Sequence, residues 1–370
     1  MVGAGQLARM THEAASALGL SLRLLATAPD DSAALVAPDV EIGRPDDLAA
    51  LRAFAKQCDV VTFDHEHVPG EHIEALVAEG ATVHPGASAL RFAQDKRAMR
   101  ERLGAAGVPV PAWRPVRAAA DAAALADEVG WPLVAKAARG GYDGRGVWVV
   151  DDTAAVARLL DAGVEVLVEQ RVPLRRELAS LVARSPSGQV VAYPVVETVQ
   201  RDGICVEVLA PAPGVPARVA AEARRLATDL AEMLGVVGLL AVELFDTPEG
   251  LVVNELAMRP HNSGHWTIEG SRTSQFEQHL RAVLDLPLGD TEPTAPATAM
   301  ANVLGGEPGG PTLHERLHRL FAEDAAVKVH LYGKQPRPGR KLGHVTVVGD
   351  DPDDVRRRAR RAAAWLEEGR

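Results

Sequence analysis

The sequence predicts a mixed α/β and α+β chain in three parts: an N-terminal parallel-sheet domain, a larger central region built on hairpins, and a small C-terminal α/β domain. Three stretches carry that prediction. MVGAGQLARM sets Gly3, Gly5 and Ala8 in a G-x-G-x-x-A spacing that opens a helix, as in doubly wound parallel sheets. WPLVAKAARGGYDGRGVWVV reads as strand, glycine loop, strand. LLAVELFDTPEGLVVNELAMRPHNSGHW holds two apolar runs, residues 239–245 and 251–254, around a Pro/Gly turn, the pattern of a β-hairpin.

Size and charge narrow the function classes. A chain of 370 residues has room for two or three domains. A formal net charge of −10 argues against non-specific binding to nucleic acid. Two distant cysteines, Cys58 and Cys205, give neither a disulfide framework nor metal-type spacing, which suits a reducing cytoplasm. No apolar run approaches the roughly 18 residues of a membrane span.

In the first domain, residues 22–26 read as a strand, with Asp30 and Asp31 beyond it, completing the form of a dinucleotide fingerprint. That fingerprint needs a strand before its first glycine, and only Met1 and Val2 precede Gly3. A natural start upstream of Met1 is therefore expected. A helix over 46–56 and a strand over 60–63 follow, and DHEHVP then places Glu66 at the carboxyl end of a strand, where open α/β sheets bind ligands. A helix over 95–106 leads into the breaker-rich VPVPAW.

In the central region, Lys136 is the one charged residue of a strand over 131–137, and a buried Lys needs an anionic partner. The loop behind it carries Gly140, Gly141, Gly144 and Gly146 and can present backbone N–H groups to phosphates. Its Tyr142, Asp143 and Arg145 are functional side chains for a mere turn. A strand over 164–169 ends in Glu169 and Gln170, an edge able to accept from an adenine amino group, and Glu177 is placed to accept from ribose hydroxyls. Val219, Leu226, Leu230 and Leu234 stripe a helix that stops at Gly235.

In the hairpin, two acids come face to face. Counting outward from Glu249 sets Glu243 opposite Glu255. Opposed carboxylates repel at the roughly 5 Å of a cross-strand pair, and a hard divalent cation between them resolves the conflict. Arg259 follows, suited to a bicarbonate or a transferring phosphoryl group, then His261, Asn262, Ser263 and His265. Beyond a linker, a strand over 327–332 precedes RPGRKLGH, where Arg337, Arg340 and Lys341 form a plausible phosphate cradle. The arginines of the last helix read as a solvated face.

A strand Lys, a glycine-rich hairpin, a Glu-Gln edge, two opposed Glu residues and a nearby Arg, in that order, resemble the ATP-grasp fold. Within it, GQLARM, EHV, GGYDGRG, NELAMRPHNSGHW and RPGRKLGH resemble the 5-(carboxyamino)imidazole ribonucleotide synthase family of purine biosynthesis. The resemblance covers nearly the whole chain. It implies a Rossmann-like domain over 1–92 with its first strand truncated, a two-subdomain ATP-grasp region over 93–290 and a C-terminal domain over 291–370. It implies ATP, magnesium (or manganese) and bicarbonate, with aminoimidazole ribonucleotide as acceptor, in a cytoplasmic homodimer that binds neither nucleic acid nor membrane.

Carried over by position, Arg91, Lys136, Gly141, Tyr142, Asp143, Gly144, Arg145, Gly146, Val147, Glu169, Gln170, Arg171, Val172, Glu177, Gln200, Asn254 and Glu255 would line the nucleotide. Glu243 and Glu255 would hold the metal. Glu66, Tyr142, Asp143, Arg145, Asn262, Ser263, Arg340 and Lys341 would hold the ribonucleotide, and Lys136, Arg259 and Asp143 would serve catalysis. Three positions depart from the pattern: Gln200 stands where relatives can carry His, Ala257 where many ATP-grasp enzymes place Asn, and Ala8 of GQLARM where a glycine is often found. Another ATP-grasp ligase, an NAD-dependent oxidoreductase read from GAGQLA, and a catalytically inactive nucleotide-binding module are the alternatives.

Overall fold

A computed structural model of the chain describes residues 1–141, 144–306 and 310–368. Tyr142 and Asp143 lie outside the described residues.

The N-terminal part is a small parallel sheet. Leu24–Ala26 pairs with Val40–Ile42, Val2 bridges both Leu25 and Phe63, and Val61 bridges Val83, all in parallel. The central position is thus held by Val2 alone, with Met1 buried beside it. The strand expected over 60–63 is reduced to these bridges. Helix Gln6–Ala17 starts at Gly5, so the glycine loop faces the carboxyl ends of the parallel segments, as the sequence pattern requires.

The central region divides between two antiparallel sheets. The smaller has the order Trp113–Pro115, Val166–Gln170, Leu133–Ala137, Val147–Val150. Helices Ala119–Val129 and Thr153–Asp161 cover one face of it around Leu125, Leu133 and Val168. The larger runs Gly250–Ala257, Gly238–Thr247, Arg176–Arg184, Val196–Arg201, Ile204–Ala210, Ala297–Leu304, Lys341–Gly349, Lys328–Leu331, with Val190–Ala192 paired to one side. The C-terminal strands therefore continue the central sheet: Ile204–Ala210 pairs directly with Ala297–Leu304. Nothing in the linker's composition foretold that edge-to-edge joint.

Helix Ala217–Met233 packs its striped face on this sheet, and one core joins Leu230, Leu240 and Leu103 to Phe54 and Phe63 of the N-terminal part. The helix stops where Gly235 takes φ +63°, a left-handed end that only glycine adopts without strain. The last helix, Pro352–Glu368, turns its arginines to acids: Arg358 to Asp324, and Arg356 and Arg360 to Glu207.

Candidate active site

The hairpin reaches its register by an unexpected route. From the tip, Thr247 pairs with Gly250, Phe245 with Val252 and Leu244 with Val253. Continued unchanged, that count would set Asn254 opposite Glu243 and turn Glu255 to the other face, because strand side chains alternate with period two. A β-bulge inserts one extra residue, Asn254, and Glu243 then pairs with Glu255. Bulges commonly re-aim side chains at functional sites. Here one brings both carboxylates to the same cleft.

Their charges are tuned in opposite directions. Glu243 is pushed up to about 7 by burial, then by the adjacent charges of Glu255 and Glu177. Burial opposes ionisation of Glu255 too, but Lys96, Lys136 and Arg100 hold it below the ordinary carboxylate range. Lys96 Nζ lies 2.5 Å from Glu255 Oε1. Two carboxylates sharing one site cannot both ionise freely without a cation.

Behind the pair stands a buried ionic cluster. Arg100, fully buried, donates through Nε to Glu169 Oε1 at 2.7 Å and through Nη2 to the Asn254 carbonyl at 2.7 Å. Lys136 Nζ meets Glu169 Oε2 at 2.7 Å and donates to Asn254 Oδ1 at 2.8 Å. Burial drives the Lys136 pKa down; for Glu169 the cost of burial is overcome by Lys136 and Arg100, which hold it ionised. Each charge has an opposite partner, the condition for tolerating ions away from water.

At the end of the hairpin, Glu66 accepts from the Met258 N–H at 2.7 Å and lies 3.4 Å from Arg259 Nε. The DHEHVP loop thus aims the arginine rather than merely lining a surface. Ser263 N–H donates to His261 Nδ1 at 3.4 Å, leaving the proton on Nε2, 3.3 Å from Glu243 Oε1. Burial, then Arg259 and Lys341, keep that ring neutral. Asn262 exchanges amide hydrogen bonds with Asn302. Lys334 Nζ donates to Gln6 Oε1, tying the C-terminal segment to the first helix.

Most of these groups line one cleft of about 1230 Å³, bounded by the N-terminal glycine loop, the hairpin and the glycine loop of the small sheet, with Arg100, Glu169 and Asn302 outside its lining. Of the residues expected from sequence, Lys136, Gly141, Gly144, Val147, Glu177, Gln200, Glu243, Asn254 and Glu255 line it, as do Glu66, Arg259, Asn262, Ser263 and Lys341. Gln200 hydrogen-bonds Glu177, whose carboxyl burial pushes upward. Arg145, Gly146, Gln170, Arg171, Val172 and Arg340 are not among the lining residues, and Arg91 stands exposed on helix Ala87–Gln94. Glu169 sits behind the wall, both oxygens taken by Arg100 and Lys136. Ala257 is buried opposite Ala241, offering no donor where related folds use Asn.

Sequence reasoning missed Lys96, Arg100 and Lys334. The signal for the first two was present: Lys96, Met99, Arg100 and Leu103 are the buried face of helix Lys96–Ala105, an i, i+3, i+4, i+7 stripe with two cations at core positions.

Comparison with known proteins bears on this arrangement. The chain matches the family models of a ribonucleotide synthetase preATP-grasp domain over residues 1–94, an ATP-grasp domain over 101–276 and a phosphoribosylaminoimidazole carboxylase C-terminal domain over 298–358. It is 59% identical to the N5-carboxyaminoimidazole ribonucleotide synthase of Mycobacterium tuberculosis H37Rv, covering 100% of this chain and 88% of that relative. The chain belongs to the N5-carboxyaminoimidazole ribonucleotide synthase family. The synthase of Corynebacterium ammoniagenes is 50% identical over 99% of this chain and 91% of its own. Among solved structures, the ADP complex of an N5-carboxyaminoimidazole ribonucleotide synthetase superposes with a TM-score of 0.90 at 33% identity, covering 100% and 97% of the two chains. The Aspergillus clavatus synthase in complex with ADP and 5-aminoimidazole ribonucleotide gives 0.88 at 32%, covering 99% and 98%.

Proposed function

We propose that this chain carboxylates the exocyclic amine of 5-aminoimidazole ribonucleotide, consuming ATP and bicarbonate and releasing N5-carboxyaminoimidazole ribonucleotide, ADP and phosphate in purine biosynthesis. One observation carries the reading: the bulged hairpin that sets Glu243 against Glu255, one pushed up to about 7 and the other held down by cations. A hard divalent cation fits that donor set. Among the described residues no third acid, histidine or cysteine completes a cage, so the remaining ligands would be substrate phosphates and water, the usual coordination of magnesium. Magnesium, or manganese in its place, would be held by Glu243 and Glu255 and would neutralise charge on the transferring phosphoryl group.

The chain's own residues supply the rest. Lys136, fixed between Glu169 and Asn254, presents a positive charge to the phosphates. Arg259, steadied by Glu66, is placed for bicarbonate or the phosphoryl group. A bicarbonate oxygen attacks the γ-phosphorus, ADP departs, and carboxyphosphate forms; such transfers need positioning and charge neutralisation above all. Carboxyphosphate is unstable in water, so the loop of residues 140–146 serves as a lid that excludes solvent. It breaks to carbon dioxide and phosphate, the amine nitrogen bonds to the carbon, and the nitrogen gives up a proton. Asp143 is assigned to orient the amine and accept that proton. At the far end, Lys334, Lys341 and Gln6 meet a phosphate-bearing substrate. The working unit is a cytoplasmic homodimer, divided at 1–92, 93–290 and 291–370.

Phosphate release from ATP and bicarbonate, with and without 5-aminoimidazole ribonucleotide, tests the reading. Stimulation by the ribonucleotide is expected; indifference would point to another acceptor.

A further inference from the structure

A second turn faces the glycine loop from across the cleft. Arg201 pairs with Ile204, and between them Asp202 and Gly203 take φ +52° and +76°, the two-residue geometry that favours Asp-Gly. This turn tips the strand pair Val196–Arg201 and Ile204–Ala210 of the large sheet, while the glycine loop belongs to the small one. The two backbones touch. A Cβ placed on Gly203 would stand 2.7 Å from Gly144 Cα, and one on Gly144 would stand 2.9 Å from Gly203 Cα and 3.1 Å from Gly203 O. Side-chain atoms do not approach so closely, so neither position has room for a residue larger than glycine while the loops stay in contact.

We propose that the turn of Asp202 and Gly203 is the seat onto which the glycine lid closes, and that the absence of a side chain at 203 sets how completely the cleft is sealed. The proposal concerns the described residues 144–146 of that loop and rests on the reading of the loop as the lid over ATP. Sealing matters because an intermediate that meets water yields phosphate without product. Gly203 is a positioning residue: it touches the lid, and through the lid it governs the reacting groups.

Gly203→Asn separates contact from backbone strain, since Asn tolerates a positive φ in such a turn yet adds a side chain at the seat. Gly188→Asn is the control: Gly188 also turns at φ +90°, on the surface, with nothing within 4 Å of an added Cβ. Trypsin cutting after Arg139, exposed at the base of the loop, and Arg145, exposed within it, reports closure without any turnover. With magnesium and a non-hydrolysable ATP analogue, cutting should slow about tenfold in wild type and in Gly188→Asn, and less than about twofold in Gly203→Asn, as expected when a local closing equilibrium is lost. In parallel, phosphate released per ribonucleotide carboxylated should rise several-fold in Gly203→Asn alone. Protection of Gly203→Asn equal to wild type overturns the seat. Wild-type protection without ribonucleotide-stimulated turnover would leave the seat standing and overturn the carboxylation instead.

Discussion

The two sides of the cleft are built to opposite specifications. On the hairpin side, Glu243 lies between a neighbouring strand at Ala179 and its partner Glu255, inside a sheet that runs on into the C-terminal part. Behind Glu255, the Arg100, Lys136, Glu169 and Asn254 cluster leaves no charge unpaired. On the lid side, the glycine loop hangs from the edge strand Val147–Val150 of a four-stranded sheet, whose Val147 and Val149 are exposed. A charge meant to meet a transferring phosphoryl group must not reorganise as the reaction proceeds, whereas a cover must open every cycle to admit substrates. Fully paired buried charge lies under the chemistry, and a loop on an edge strand lies over it.

The sharpest way to break that contrast is on the hairpin side. Glu255→Gln keeps shape and removes charge, and should lower kcat/KM for carboxylation by roughly 10³-fold, a cost typical of losing a preorganised electrostatic group; steady-state kinetics decide it. Arg100→Met should cost about 3–5 kcal/mol of folding stability by leaving Glu169 short of a cation, measured by urea unfolding. A change near zero would mean the cluster is not holding the hairpin.

Acid probes the same side more gently. His265 and His344 are held neutral by burial well below the usual histidine range, and His279, which meets Thr62 Oγ1 at 2.8 Å, is lowered to about 3. The unfolded rings bind protons near 6.5 and the folded ones do not, so stability is full above that pH and falls as acid approaches about 3. At about pH 5 the His279 ring should cost about 2 kcal/mol, and His265 and His344 act in the same direction. Thermal melts between neutral and mildly acidic pH should show this, and His279→Gln should flatten the slope. On the lid side, Val149→Thr, at a position 57% exposed, should shift stability by no more than about 0.5 kcal/mol, checked by the same melts.

How much of this was written in the sequence depends on the range of the interactions. The hairpin, the lysine strand and the glycine loop are local, so alternation and breakers reveal them. The opposition of Glu243 and Glu255 was legible too, although a symmetric turn about Glu249 is not how it arises: the tip closes at Thr247 and Gly250, and the bulge at Asn254 restores the pairing. A bulge leaves no composition signal here, because Asn254 also serves to bind Lys136. Lys96 and Arg100 were hidden for another reason. KRAMRERLGA looks like a solvated charged helix until the buried stripe is seen to face Glu169 and Glu255 from a distant part of the chain. The edge joint of Ile204–Ala210 with Ala297–Leu304 is likewise long-range, and no pattern within either strand specifies its partner.

Catalysis requires that the two hairpin acids bind an ion that in turn binds ATP. Calorimetric titration of the protein with ATP, with and without magnesium, measures this directly when repeated on the Glu243→Gln, Glu255→Gln double variant. Strong magnesium enhancement in wild type and none in the variant is the predicted result. Equal enhancement in both would place the ion elsewhere and contradict the central role of the hairpin.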